Sequence, residues 1–325
     1  MTDRVSVALC TYNGARYIAE QIDSILSQEL VPTEIVLADD GSTDGTVELA
    51  WRAYAAHVDS TVKLRVLPPQ AHLGVTRNFE RAVLAAENEL IALCDQDDVW
   101  RSDRLSSAVL SFDRDPSLLL QHSDATLIDA TGNSVGSTLL DALRLSPRER
   151  GAIADGQAFS AYIRRNLVTG ATVIFRRRLL DAAIPFPLGW VHDEWLAIIA
   201  AALGTVELLD EPLIDYRQHG SNQIGVSAPT LGYRVRRMLE PRGARYEMLS
   251  RRADVLLDRL IQLKAPSSTI ACAADKARFE RVRAALPRRR LSRVRTVLLE
   301  LRRGAYDRLS SQGNLDMARD LLQPA

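Results

Sequence analysis

The sequence predicts an α/β protein: a mostly parallel sheet with helices on both faces, followed by an α-helical C-terminal region. Two observations lead there. Over roughly the first 112 residues, short apolar runs alternate with segments whose apolar residues recur at helical spacing, in the order β-α-β-α-β-α-β-α. Strands alternating with helices at this spacing build βαβ units and a parallel sheet. From residue 228 to 325, by contrast, no convincing strand occurs.

Residues 5–10 are a near-continuous apolar run, as a strand buried on both faces requires. The run breaks at Thr11-Tyr12-Asn13-Gly14. Residues 17–28 read as a helix, with Ile18, Ile22, Ile25 and Leu26 at helical spacing. Pro32 precedes the second strand, 34–38, which ends in Asp39-Asp40-Gly41-Ser42-Thr43-Asp44-Gly45. A helix at 46–57, a strand at 63–67, a loop through His72-Leu73-Gly74 and a helix at 75–86 follow. The fourth strand is 90–94 and the fourth helix 101–112. Past Pro116 the pattern changes, with short strands at 118–124, 125–129, 172–175, 206–209 and 213–216. Helices are expected at 159–165, 176–183 and 196–203. In the C-terminal region, helices at 246–263, 270–286 and 291–309 are separated by Pro266 and Pro287.

Leu90–Trp100 focuses the functional reading. Asp95, Asp97 and Asp98 fall within four residues at the end of an apolar strand. Carboxylates are rarely buried unless paired or metal-bound. A divalent cation at this sheet edge accounts for them, since Mg2+ is usually held by one or two carboxylates plus substrate phosphates. The other reading is an Asp-rich turn capping the next helix. Ligands of such sheets sit at the C-terminal strand ends. Thr11-Tyr12-Asn13, Asp39-Asp40 and Asp95–Asp98 all lie at such ends, which favours a metal- and nucleotide-binding edge. No GxGxxG follows the first strand and no GxxxxGK[ST] occurs, which counts against dinucleotide and P-loop sites.

The 325 residues, 46% hydrophobic and 25% charged, are ordinary globular composition. No apolar run approaches the roughly 20 residues that span a bilayer, and the N-terminus shows no signal-peptide core. Cys10, Cys94 and Cys272 show no CxxC spacing, so neither a disulfide framework nor a zinc site is suggested. The expected location is cytoplasmic. The net charge of zero hides an asymmetry: from residue 231 onward there are 22 Lys/Arg against 10 Asp/Glu, and the rest of the chain is acidic by the same margin.

Several stretches together resemble the family 2 glycosyltransferases. They are Val5–Gly14 (VSVALCTYNG), Glu34–Thr46 (EIVLADDGSTDGT), Asp95–Trp100 (DQDDVW), Gly170, His192-Asp193-Glu194-Trp195, and residues 216–222 (YRQHGSN). The resemblance covers about residues 1–225, and bacterial rhamnosyltransferase-like enzymes of surface polysaccharide assembly look most similar. It implies the GT-A fold, a Rossmann-like sheet. The domains expected from it are a catalytic domain at 1–227, with a nucleotide-binding half of about 1–115 and an acceptor half of about 116–227. A basic helical region at 228–325 completes the chain.

The implied activity is inverting transfer of a sugar, rhamnose by the subgroup, from a UDP- or dTDP-sugar to a hydroxyl of a glycan or lipid-linked acceptor. Mg2+ or Mn2+ would assist. Thr11, Tyr12 and Asn13 would line the base and ribose. Asp40 would accept from the pyrimidine N3–H, with Asp39 nearby or serving only as turn and cap. Gly74 would allow close backbone approach, and Arg77 would touch the diphosphate or simply face solvent. Asp95 would meet ribose or metal, and Asp97 the metal. His219 would contact metal or diphosphate. Asp98 would cap the helix starting near Arg101. Asp193 would be the general base, with Glu194 as competitor, or else the cap of helix 196–203; Trp195 would pack, or lie close enough to stack on the acceptor sugar. His57, His122 and His192 read as structural.

The basic tail lies outside the resemblance. It fits a peripheral contact with the acidic inner face of the membrane, docking onto the chain's own acidic body or a partner, or a helical bundle with solvated Arg faces. No nucleic-acid module is visible. Two other classes fit the sheet. One is a sugar-phosphate nucleotidylyltransferase, whose Gly-rich basic loop after strand one is missing here. The other is a nucleotide-binding scaffold without turnover, against which Asp95, Asp97 and Asp193 argue.

Overall fold

The structure, a computed structural model, describes residues 5–219, 242 and 244–324. These form two compact units. The first holds residues 5–156, 168–186 and 190–219, and the second 157–167, 187–189, 242 and 244–324. The boundary expected at 227/228 lies outside the described residues, as do Gly220–Asn222 of the polar loop.

In the first unit the expected alternation is present: β1 (Val5–Thr11), α1 (Ile18–Leu26), β2 (Glu34–Asp39), α2 (Thr46–Ala56), β3 (Lys63–Val66), α3 (Val75–Ala85), β4 (Leu90–Cys94), β5 (Val99–Trp100) and α4 (Arg104–Arg114). Next come β6 (Leu118–Ile128), β7 (Ser134–Thr138), α5 (Leu139–Leu143) and α6 (Pro147–Ala154). After α7 (Ala158–Tyr162), which belongs to the second unit, are β8 (Ile174–Arg176), α8 (Leu180–Ala183), α9 (His192–Leu203) and β9 (Thr205–Arg217). The sheet runs β3-β2-β1-β4-β8-β6-β9-β5, with β7 beside β6. β1 to β4 are parallel, and β8 runs antiparallel between β4 and β6.

Every residue of β1 and of β4 is buried. This is why their sequences are near-continuous apolar runs rather than alternating ones; the one polar residue inside β1, Ser6, is buried and donates to Glu34 (2.7 Å). Ile18, Ile22, Ile25 and Leu26 form the buried face of α1, as their spacing predicts. The fold is GT-A. Two corrections concern the later strands. The pairs expected at 118–129 and 206–216 are single long strands, β6 and β9, because the two pair in parallel along most of their length, with register shifts on either side of Asp124. Pro212 sits at one shift, where β9 can tolerate a residue without an N–H.

The second unit is helical: α7, α10 (Arg245–Gln262), α11 (Ser267–Ala284), α12 (Arg290–Arg302), α13 (Ala305–Leu309) and α14 (Asn314–Leu322). One helix expected at 291–309 is two, divided at Gly304, whose φ of +66° ends the first as an αL residue. A small core of Phe279, Leu286, Val297, Ala305, Tyr306 and Leu309 holds it. Part of the basic excess is interior. Arg283 (2.7 Å) and Arg242 (3.2 Å) pair with the fully buried Asp320, and buried Arg293 donates to the carbonyls of Pro287, Arg288, Asp320 and Gln323.

Candidate active site

The sheet register brings the polar clusters to one edge. Thr11 lies opposite Asp39 on β1 and β2, and Cys94 opposite Leu9 on β4 and β1. Asp95 therefore emerges beside the β1 end. Gln96 clamps the two loops: its Nε2 donates to the Tyr12 carbonyl (3.0 Å) and its Oε1 accepts from the Tyr12 N–H (2.8 Å). A Cβ on Gly14 would lie 2.2 Å from Gln96 Oε1, so the clamp requires glycine there.

Asp39 is occupied structurally. It accepts from the Thr11 hydroxyl (2.7 Å), the Ser42 hydroxyl (2.5 Å) and the N–H groups of Gly41 and Ser42. Asn13, at φ +49°, bonds Ser42 and Thr43 across the same loops. Asp40 is 2% exposed. Its two oxygens accept from the Leu73 N–H (2.6 Å) and the Gly74 N–H (2.9 Å), and His72 Nδ1 lies 2.9 Å from it. The carboxylate thus shapes the 72–74 loop, with Oδ2 facing both the Gly74 N–H and His72 and a lone pair left on Oδ1. The groups presented outward are Tyr12 and His72, whose rings meet at 4.6 Å.

Gly74 has open space at the position expected to allow close backbone approach. A Cβ there meets nothing within 4 Å, and the residue is glycine because φ is +83°. Arg77 pairs within its own helix. Both hydrogen bonds from its Nη1 go to Glu80 (3.0 and 2.8 Å), and Glu80 in turn accepts from the Phe186 N–H. The side chain is 39% exposed.

The three carboxylates after β4 separate clearly. Asp97 Oδ2 lies 2.7 Å from His219 Nε2, and burial outweighs that bond to push the Asp97 carboxyl up. The His219 ring stacks on Tyr17 at 5.1 Å. Asp95 is pushed up to about 7, first by burial, then by the charges of Asp97 and Asp193. Asp98 is no helix cap: α4 begins at Arg104 with Asp103 in the cap position. Instead Asp98 Oδ1 accepts from the Arg217 N–H (2.9 Å), its Oδ2 has no hydrogen-bond partner, and burial with Asp97 and Asp95 beside it raises it far.

Three positioning groups were invisible in the sequence. Gln96 is one. Arg217, buried, donates from Nε to the Asp97 carbonyl (2.8 Å) and from Nη2 to Glu20 (2.7 Å). Arg104, buried, donates to the Ala171 carbonyl (2.7 Å), lies 3.7 Å over the Trp100 ring, and supplies the cation nearest in effect to Asp95 and Asp98.

Asp193 opens α9. Its Oδ2 accepts from the Gly170 N–H (2.9 Å) and its Oδ1 from the Glu194 N–H (2.6 Å). Burial raises it to about 7 against those bonds. His192 is core: its ring stacks on Phe79 at 3.9 Å, neither nitrogen has a hydrogen-bond partner, and burial lowers it to about 3. Gly170 fits between them, since a Cβ there would stand 3.0 Å from His192 Nε2 and 3.5 Å from Asp193. Glu194 is half-buried beside Asp193.

Trp195 corrects the acceptor-side expectation. It is 0% exposed, its Nε1 donates to the Ala183 carbonyl (2.8 Å), and its ring meets Trp190 edge-on at 5.1 Å. No sugar reaches it. Trp195→Phe removes that bond and some packing, so it should cost about 1–3 kcal/mol of stability in a melt and leave relative turnover of different acceptors unchanged.

A parallel nucleotide-type sheet edged by aspartates and continued by antiparallel strands is the architecture of GT-A transferases. Among solved structures, Staphylococcus aureus TarS residues 1–349 in complex with UDP-GlcNAc aligns over 97% of this chain and 89% of that one, with TM-score 0.52 and 19% identity. Residues 6–180 match the family described as glycosyl transferase family 2, and the chain belongs to it. Similar relatives include an uncharacterized glycosyltransferase of Nostoc, 29% identical over 223 residues, 67% of this chain and 66% of that protein. Another is the dTDP-rhamnosyl transferase RfbG of Shigella flexneri, 24% identical over 232 residues, 67% and 74% of the two chains. An uncharacterized Mycobacterium tuberculosis protein is 29% identical over 222 residues, and the match spans 59% of it. The chain thus spans about two thirds or less of the length of the Nostoc and mycobacterial relatives.

Proposed function

We propose that this chain is an inverting glycosyltransferase that moves a sugar from a UDP- or dTDP-linked donor to a hydroxyl of a glycan or lipid-linked acceptor. The single observation that carries the reading is the convergence of Asp95 and Asp193. They come from a strand end and a helix start 98 positions apart in sequence, yet Asp193 is one of the charges that raise Asp95. Carboxylates tuned apart from their ordinary range in one recess mark acid–base chemistry.

Asp193, raised to about 7, suits a general base that takes the acceptor hydroxyl's proton near neutrality. The Gly170 and Glu194 N–H groups hold its two oxygens in place. The base and ribose lie along the outward pair Tyr12 and His72 and the loops clamped by Gln96. Among the described residues no group of three His, Cys, Asp and Glu side chains is set to hold a metal ion. The donor set nevertheless fits Mg2+ or Mn2+. Asp95 and Asp97 raise each other's cost of ionising, and such ions take one or two carboxylates with the remaining positions filled by phosphates. When bound, the cation would neutralise charge on the departing nucleoside diphosphate. Asp97 and His219 would hold it, with Asp95 on ribose or metal.

Rhamnose as the sugar and surface polysaccharide as the product follow the subgroup resemblance and the RfbG match. The excess of 12 basic charges from residue 231 onward supports a peripheral contact with the inner face of the cell membrane, where a lipid-linked acceptor would sit. Among the described residues no helix is long and apolar enough to cross a membrane.

The test is a panel of UDP-, dTDP- and GDP-sugars with Mg2+ or Mn2+, read as free nucleoside diphosphate. Release from one UDP- or dTDP-sugar, enhanced by acceptor, is the expected result; none from any donor sinks the reading. Gln96→Ala removes two bonds worth about 0.5–1.5 kcal/mol each. It should lower the melting temperature by a few degrees and raise the donor KM more than it lowers kcat.

A further inference from the structure

We propose that the outward face of α12 docks on an anionic lipid surface, seating Leu291, Val294 and Leu298 at headgroup depth. This rests on the membrane contact proposed above and fixes which surface makes it. Arg293, Val297 and Glu300 form the buried side of α12. About a third of a turn round from it, a second stripe presents Leu291, Val294, Leu298 and Leu301, 89%, 40%, 47% and 39% exposed, at i, i+3, i+7 and i+10. One stripe per helix suffices to join a core; a second, left in water, marks a surface that meets an apolar medium.

The charges around that stripe choose the medium. Residues 287–303 carry seven arginines and one acid, Glu300. Glu300 is buried and bound by Arg278 (2.8 Å) and Arg303 (2.8 Å), and Arg293 is buried. Arg288, Arg289, Arg290, Arg295 and Arg302 are exposed. The leucines are therefore flanked by guanidiniums, and no exposed carboxylate lies within residues 287–303. A second copy meeting this face through a two-fold axis would set arginines against arginines. Nucleic acid would use the arginines and leave the leucines wet. An anionic bilayer satisfies both, the acyl boundary taking the leucines and the lipid phosphates the arginines.

The experiment is cosedimentation of the full chain with vesicles of phosphatidylcholine alone or with one-third phosphatidylglycerol. Binding to the anionic vesicles should be about tenfold tighter or more and should weaken with salt. Leu291→Glu with Leu298→Glu should reduce it about tenfold, and Arg288→Ser with Arg289→Ser should do the same, both with an unchanged melting temperature. Nucleoside diphosphate release in the absence of vesicles should also be unchanged. If anionic binding survives the leucine changes and falls only with Arg251→Ser, which removes an exposed arginine of α10 instead, the membrane reading stands and the α12 assignment is overturned. Absence of binding to either vesicle overturns both. A wild-type dimer that the leucine changes convert to monomer would make this face a contact between copies, and the proposal would be wrong.

Discussion

Asp193→Asn should lower transfer about 10²–10⁴-fold, the usual worth of a general base, while the donor nucleotide still binds. The amide cannot take a proton, yet its oxygen can still accept the Gly170 or the Glu194 N–H, so the loop geometry is largely kept. The wild-type kcat/KM should rise with pH up to about 7 and level off above it. Burial is the first cause of the raised Asp193 carboxyl, so the midpoint follows the site's dryness. Below it, each pH unit should cost close to tenfold. A profile flat from pH 5 to 8, or wild-type turnover in Asp193→Asn, would remove Asp193 from the mechanism.

The same carboxyl has a stability signature. Its folded value, about 7, lies above the ordinary 3.8. Between those values the folded chain binds a proton that the unfolded chain has lost, so stability falls as pH rises through that window. The loss is at most about 4 kcal/mol, at about 1.4 kcal/mol per unit. Asn does not titrate. The melting temperature of Asp193→Asn should therefore gain on wild type from pH 5 to 8, the pattern expected where function holds a destabilising charge in place. A constant difference would mean that Asp193 is not raised.

What the sequence disclosed follows from how local each signal is. β1 and β4 are legible because strands buried on both faces are apolar at nearly every position. The three polar strand ends are legible because parallel strands put their C-terminal ends on one edge. The partners were not legible. Gln96 reaches Tyr12 across 84 positions and Arg217 reaches Asp97 across 120, and no local pattern encodes such pairs. Asp40 was readable as a functional carboxylate, but the loop N–H groups that occupy it lie 33 and 34 residues on. Trp195 has two readings in the sequence, packing and a sugar contact, because proximity to Asp193 along the chain does not say which way the side chain points. Two positions along a helix turn the side chain through about 200°, and this one faces the core.

Asp97→Asn should abolish the cation-dependent part of nucleotide binding and cut transfer by several kcal/mol, on the order of 10²–10³-fold or more. The amide keeps an acceptor for His219 but loses the charge that Mg2+ or Mn2+ would meet. The thermal shift given by UDP or dTDP with metal should collapse to the metal-free value. The neighbouring carboxylates give the control. Asp98→Asn should stay within about tenfold of wild type, because Asp98 is spent on the Arg217 N–H and is already raised far from the ionised range by its burial. Asp95→Asn should fall between, since its carboxyl serves ribose or metal but not both at once. The order Asp97 over Asp95 over Asp98 is what separates a bound cation from a generally acidic pocket. Three equal losses would mean that bulk negative charge, rather than one liganding carboxylate, is what this edge of the sheet provides.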